Sequence, residues 1–242
     1  MNQLSPPNPV LEVVADAARM VVIASAWIAD LASAAIALRG RFRIALAGGA
    51  TPRALYPRLV RTVDWNHTDV FFGDERAVPP DDPQSNYRMA RETLLEPARI
   101  PPANVFRWRA EAADLDAAAR EYEVALRAAG GPPWLDLALL GLGPDGHTAS
   151  LFPGTAALAV EDRLAVAVDV SAPGVRRLTL TYPALIGATH VMFLVTGTEK
   201  RAALADVLRP GSTLPAARIV QGAAGVRILC DVDAAGDITS GP

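Results

Sequence analysis

The chain is nearly without cysteine. Its one thiol, Cys230, lies between Leu229 and Asp231 and has no second sulfur for a disulfide or a metal knuckle. A structural thiol in a reducing compartment follows. A basic excess is missing too: 23 Lys and Arg stand against 26 Asp and Glu, a net charge of −3, which argues against a nucleic-acid partner. The start, MNQLSPPNPV, lacks the basic region of a signal peptide. The longest early apolar run, MVVIASAWIA over 20–29, is bracketed by Arg19 and Asp30, and about ten residues do not span a bilayer. A cytoplasmic protein that engages neither membrane nor nucleic acid is expected. No repeat, low-complexity tract or linker divides the 242 residues, so a single domain over 1–242 is expected, with 51% hydrophobic residues to fill its core.

What the chain does have is alternation. Residues 10–38 are Ala-rich and read as one long helix or two, closed by Gly40. FRIALA (42–47) reads as a strand that meets the turn GGATP and the helix RALYPRLVR. DVFFGDER (69–76) reads as a strand ending in charges, and SNYRMARETLLEP as a helix capped by Ser85. NVFRW is a short strand and 112–129 a helix. LDLALLGLG (135–143) and LAVAVDV (164–170) are buried strands, and RLTLTYPALIG passes from strand into helix. HVMFLVTG (190–197), the helix EKRAALADVL and the strand VRILCDVD complete the chain. Such alternation predicts an α/β fold, a mostly parallel sheet flanked by helices on both faces. Ligands in these folds bind beyond the carboxyl ends of the strands. GGATP, GDER, GLGPDGH and TGTEK all fall there.

Each of these segments has a plain reading beside a chemical one. Gly48, Gly49, Thr51 and Pro52 form either a tight turn or a backbone cradle for an anion at a helix N-terminus. The stretch is not a G-x-x-x-x-G-K-[ST] loop, so a nucleoside triphosphate is not indicated. Asp74, Glu75 and Arg76 are either solvated charges or a site in which Asp74 takes a sugar hydroxyl and Arg76 an oxyanion or phosphate. Arg88, one turn into its helix, points toward an anion or toward solvent. Lys200 follows a strand and a Gly-Thr turn, where an exposed lysine gains interest.

LLGLGPDGHTASLFPG (139–154) contains G-x-G-x-x-G in Gly141, Gly143 and Gly146, the spacing of a dinucleotide loop. Asp169 supplies an acidic residue downstream. Yet four strand–helix steps precede the loop, LAVAVDV continues past Asp169, and HTASLFPG is too short for the helix that must follow. A histidine presented at a strand end fits better. His147 can take a proton from water near neutral pH, and Asp145 can orient its ring. His67 in a polar loop and His190 at a strand start lack such a setting. Zinc is disfavoured, because no histidine lies at helical spacing from another and no cysteine is near.

GGATP, GDERAVPPDDPQSNYRMARETLL, GLGPDGHTASLFPG and RRLTLTYP occur in the order found in 6-phosphogluconolactonases, and the chain resembles that family from about residue 44 to the strand near 230. The resemblance implies a modified Rossmann-like sheet and hydrolysis of 6-phospho-D-glucono-1,5-lactone, a small phosphorylated sugar lactone, with no metal or organic cofactor. It implies that His147 is the general base. It also implies that Gly48, Gly49, Asp74, Arg76, Arg177 and Lys200 line the site or hold phosphate, with Arg176 interchangeable with Arg177. A monomer or small homo-oligomer is expected. Glucosamine-6-phosphate deaminases share the Gly-Gly-x-T-P and D-G-H loops, but carry a glutamate where this chain has Phe152 and Glu-Tyr where it has Glu75-Arg76. A sugar-phosphate sensor on this fold would add a DNA-binding segment, and the first 40 residues show no basic helix-turn-helix pattern.

Overall fold

A computed structural model of the chain describes residues 9–170 and 176–238. The stretch MNQLSPPN, read above for a leader, lies outside them. The first element is β1 (Val10–Val14), where three β-branched valines favour extended backbone. This corrects the helical reading of 10–38. The helix begins only at α1 (Ala17–Arg39), where the Asp16 side chain accepts from Arg19 N at 2.7 Å. Gly40 ends it in the left-handed region, with its N–H on the Ile36 carbonyl. At 23 residues α1 is long and apolar enough by composition to cross a membrane, a length the ten-residue run had concealed. It packs on β1 and the strands introduced next, burying Met20, Ala24 and Ile28 completely.

β2 (Phe42–Leu46) turns at Gly48 and Gly49 into α2 (Ala50–Leu59). β3 (Thr68–Phe72) and β4 (Asp74–Arg76) are separate strands in separate sheets, so DVFFGDER is broken at Gly73. α3 (Asn86–Ala90) is capped by Ser85, whose Oγ accepts from Arg88 N at 3.1 Å, and continues as a π-helical turn over Arg91–Leu95. NVFRW forms no strand; it touches β3 through a bridge from Val105 to Val70, a bond from Phe106 N to the Val70 carbonyl at 2.8 Å and one from Trp108 Nε1 to the Phe72 carbonyl at 3.1 Å. α4 (Leu115–Ala128), β5 (Leu137–Leu140), β6 (Ala165–Val168), β7 (Arg177–Leu180) and α5 (Tyr182–Ile186) follow. Then come β8 (His190–Val195), α6 (Arg201–Val207), α7 (Pro215–Gly222), β9 (Val226–Asp231) and α8 (Val232–Ala235). Sequence reading did not foresee α7.

Six strands form a sheet in the order β1-β9-β8-β5-β2-β3, every neighbouring pair parallel. β2, β3 and β5 are buried at every position. Because successive side chains point to opposite faces, burial throughout means that both faces are covered. LAVAVDV does not join this sheet. β6 pairs antiparallel with β7, and β7 with β4, in a smaller sheet. The link from β6 to β7, 169–176, is shorter than the dozen or so residues a parallel crossover requires. Side chains of both sheets share one hydrophobic core.

The two ends of the large sheet differ. At the amino ends, charges are matched: Arg39 Nη2 meets Asp136 Oδ1 at 2.6 Å, Asp136 Oδ2 accepts from Arg43 N at 2.7 Å, and Arg41 pairs with Asp69. At the carboxyl ends, β2 leads outward to β3 while its neighbour β5 leads the other way, toward β8. Loops that depart in opposite directions leave a crevice between them, the ligand position of open α/β sheets. The loops that flank it are those after β2 and β5, GGATP and GLGPDGH.

Candidate active site

The loop after β5 closes on itself. Gly143 N donates to the His147 carbonyl at 2.8 Å, and Thr148 Oγ1 donates to the Gly141 carbonyl at 2.8 Å. No helix follows; Thr148 and Leu151 form an isolated bridge. The dinucleotide pattern therefore lacks its helix. Asp145 Oδ1 accepts from His147 N at 3.1 Å and lies 2.5 Å from His147 Nδ1. Partial burial opposes ionisation of Asp145, yet the bonds from His147 outweigh it and hold the carboxyl below its ordinary range. With Nδ1 committed, Nε2 is the nitrogen left for chemistry. A Cβ at Gly143 would stand 2.0 Å from His147 Nδ1 and 2.7 Å from Asp145 Oδ1. Glycine is required there because the His–Asp pair occupies the space a side chain would need. Phe152 packs against the imidazole at a tilt of 32°, ring centroids 4.2 Å apart, and its ring also meets the Arg177 guanidinium at 5.3 Å.

The charges of DER are neither loose nor solvated. Asp74 is 7% exposed; its Oδ2 accepts from Ser150 Oγ at 2.5 Å and its Oδ1 from Asn86 Nδ2 at 3.1 Å. Glu75 is buried and serves the entry to α3. Its two carboxylate oxygens accept from Arg76 N, Asn86 N, Tyr87 N and Ser85 Oγ at 2.8–3.0 Å. Burial still makes it a weaker acid and pushes its pKa above the usual carboxylate range. Arg76 Nη1 donates to the Gln84 carbonyl at 2.6 Å and to Asn86 Oδ1 at 2.8 Å, while its Nε is buried without a partner among the described residues. Asn86 thus joins Asp74 to Arg76. It also explains Gly48, where a Cβ would fall 1.9 Å from Asn86 Oδ1.

These groups converge on a cavity of about 330 Å³ lined by Gly48, Gly49, Asp74, Arg76, Arg177 and Lys200 as well as His147 and Asn86. Burial, the largest influence on Arg177, lowers its basicity, with Asp74 opposing and Arg76 adding to the effect. Its contact to Asp74 is long, 3.8 Å, and that of Lys200 to Glu199 is 3.9 Å, so both cations are loosely held. The cavity does not include every expected residue. Arg88 is engaged elsewhere, with Glu92 Oε1 at 2.7 Å and the Asp81 carbonyl at 2.8 Å. Thr51 does not line the wall; its hydroxyl meets Thr196 Oγ1 at 2.9 Å and ties the start of α2 to the exit of β8. Arg176 pairs with Asp169 at 2.7 Å on the exposed side, and Arg177 is the arginine of the pair that reaches the cavity.

His67 pairs with Asp64 in an exposed turn, and His190 packs edge-on against Trp27, where burial lowers its basicity. Cys230 is buried, and burial pushes its thiol up to about 11. Asn86 and Ser150 have no role in the sequence reading, and Phe152 enters it only as the replacement for a deaminase glutamate. Asn86 stood beside Ser85, and Ser150 and Phe152 followed His147. Their signal was adjacency to a named residue; their contacts, Asp74 for Ser150 and Arg177 for Phe152, are long-range in sequence.

Residues 15–228 match the family described as glucosamine-6-phosphate isomerases/6-phosphogluconolactonase. The chain is 47% identical over 182 residues to a 6-phosphogluconolactonase of Synechocystis sp., covering 73% of this chain and 75% of that one. It is 38% identical over 244 residues to a 6-phosphogluconolactonase of Mycobacterium tuberculosis, covering 95% and 98%. The solved 6-phosphogluconolactonase of Trypanosoma cruzi superposes with a TM-score of 0.86 at 30% identity over 99% of this chain and 100% of that one.

Proposed function

The chain belongs to the family of glucosamine-6-phosphate isomerases and 6-phosphogluconolactonases, and from that membership we propose that it hydrolyses 6-phospho-D-glucono-1,5-lactone to 6-phospho-D-gluconate in the pentose phosphate pathway. One observation carries the mechanism: His147, paired with Asp145 behind it, lines the same cavity as Arg76, Arg177 and Lys200. Asp145 holds the imidazole by Nδ1, and Phe152 holds its face. Nε2 takes a proton from water as the water oxygen bonds to the lactone carbonyl carbon. The carbonyl electron pair moves to oxygen and forms a tetrahedral oxyanion. That pair then returns, the ring C–O bond breaks, and the leaving ring oxygen receives the proton from His147.

Arg76 suits the oxyanion, because two acceptors fix its guanidinium in place and its Nε remains free. Arg177 and Lys200, loosely held, suit the phosphate, which carries close to two negative charges at neutral pH. The N-terminus of α2, at Gly49, adds backbone donors. The route uses no cofactor. We place this activity in a single domain of the cytoplasm, in keeping with an unpaired, buried Cys230. The deaminase alternative loses support at Phe152, whose ring packs on His147 where an acid would be needed.

The test is hydrolysis of freshly generated 6-phosphogluconolactone at controlled pH, with the spontaneous opening subtracted. Saturable turnover well above the spontaneous rate is expected. A rate equal to the spontaneous one overturns the proposal.

A further inference from the structure

A second cavity, about 420 Å³, lies beside α3 and the π-helical turn that follows it. Its volume is within the range of small-molecule sites. Arg91, Arg99 and Arg107 line it, with Glu96 as the one acid in the wall. Arg91 Nε is buried with no hydrogen-bond partner among the described residues, although Glu96 Oε1 lies 3.5 Å away. Arg99 holds a left-handed backbone, φ 52°, and its guanidinium has no hydrogen bond or ion pair among the described residues. Non-glycine residues in that region are uncommon, and they cluster where structure serves a ligand. A π turn inside a helix marks such places as well.

The rest of the wall is largely apolar. Tyr87 lines it with the Arg107 guanidinium 5.7 Å from its ring centroid, and Ile100, Pro101 and Val105 close the other sides. Arg107 is already neutralised by Glu111, through bonds of 2.8 and 2.9 Å, so Arg91 and Arg99 are the cations left to an anionic ligand, and Arg99 carries no counterion among the described residues. An aromatic and proline-lined surface asks for a planar body. None of these residues lines the cavity of His147; Asn86 faces that one, and its neighbour Tyr87 faces this one.

We infer that this second cavity binds a phosphorylated aromatic ligand of the mononucleotide class. ADP serves as the probe, followed by isothermal titration calorimetry on the full chain. Arg99→Asn removes the guanidinium while keeping a residue that tolerates left-handed backbone, and Arg91→Gln removes the second donor set. Saturable ADP binding is expected, weakened about tenfold or more in each variant and unchanged in Lys200→Ala. Absence of binding overturns the inference. So does binding that survives both arginine variants, or that is lost in Lys200→Ala, which would assign ADP to the cavity of His147. Inorganic phosphate binding as tightly as ADP, with the same arginine dependence, would overturn the nucleotide class in favour of a free anion.

Discussion

Two glycine-rich loops leave adjacent parallel strands at the switch point and use their glycines differently. GGATP runs straight into α2, so its contribution is backbone: a helix N-terminus at the cavity wall. GLGPDGH runs into no helix and contributes side chains, Asp145 and His147, held in a closed turn. In both loops a glycine makes room for another residue's side chain, Asn86 at Gly48 and His147 at Gly143. The spacing of glycines therefore says little about a ligand until the following element is known. A following helix suits the loop to an anion, and a tight turn suits it to holding side chains such as Asp145 and His147 in place.

The division of labour can be broken most sharply at His147, the proposed base. His147→Ala should lower kcat by about 10²–10⁴-fold with substrate binding retained; wild-type turnover in this variant would remove His147 from the chemistry. Gly143→Ala should come next. The new methyl occupies the imidazole's place, and a displacement of about 1 Å costs on the order of 10²-fold in turnover. The measurement is kcat at saturating lactone in a protein whose circular dichroism matches wild type, and an unchanged kcat contradicts the packing argument.

The binding side should respond differently. If Lys200 holds the phosphate as proposed, Lys200→Ala removes a charge-assisted contact of about 1.5–3 kcal/mol, and KM should rise about ten- to a hundredfold while kcat holds. A fall in kcat at constant KM would move Lys200 to the reaction centre. The smallest effect belongs to Asp145. Its folded carboxyl is held below the ordinary value of 3.8, so its pairing stabilises the fold above that pH and is lost as pH falls through the lower folded value. The Tm gap between wild type and Asp145→Asn should narrow below about pH 3.8, and a gap constant down to pH 2 would refute the pairing.

Much of the main sheet was legible. β2, β5, β8 and β9 are apolar runs ended by glycine or charge, and local pattern suffices for them. The misses share a cause. VLEVV was absorbed into the helix after it, because only its parallel pairing with β9, at the other end of the chain, makes it a strand. Arg88 looked available at the first turn of α3, yet Glu92 one turn on captures it.

By itself the sequence determined the α/β alternation, the strand-end position of every loop that matters, and the pairing of Asp145 with His147, since these depend on residues near one another in the chain. The tertiary structure alone decided that β4, β6 and β7 form a separate sheet, that Arg177 rather than Arg176 enters the cavity, and that Asn86 and Ser150 hold Asp74. Those outcomes rest on contacts between segments from about ten to a hundred residues apart, and local propensity carries no information about which distant partner a side chain will meet.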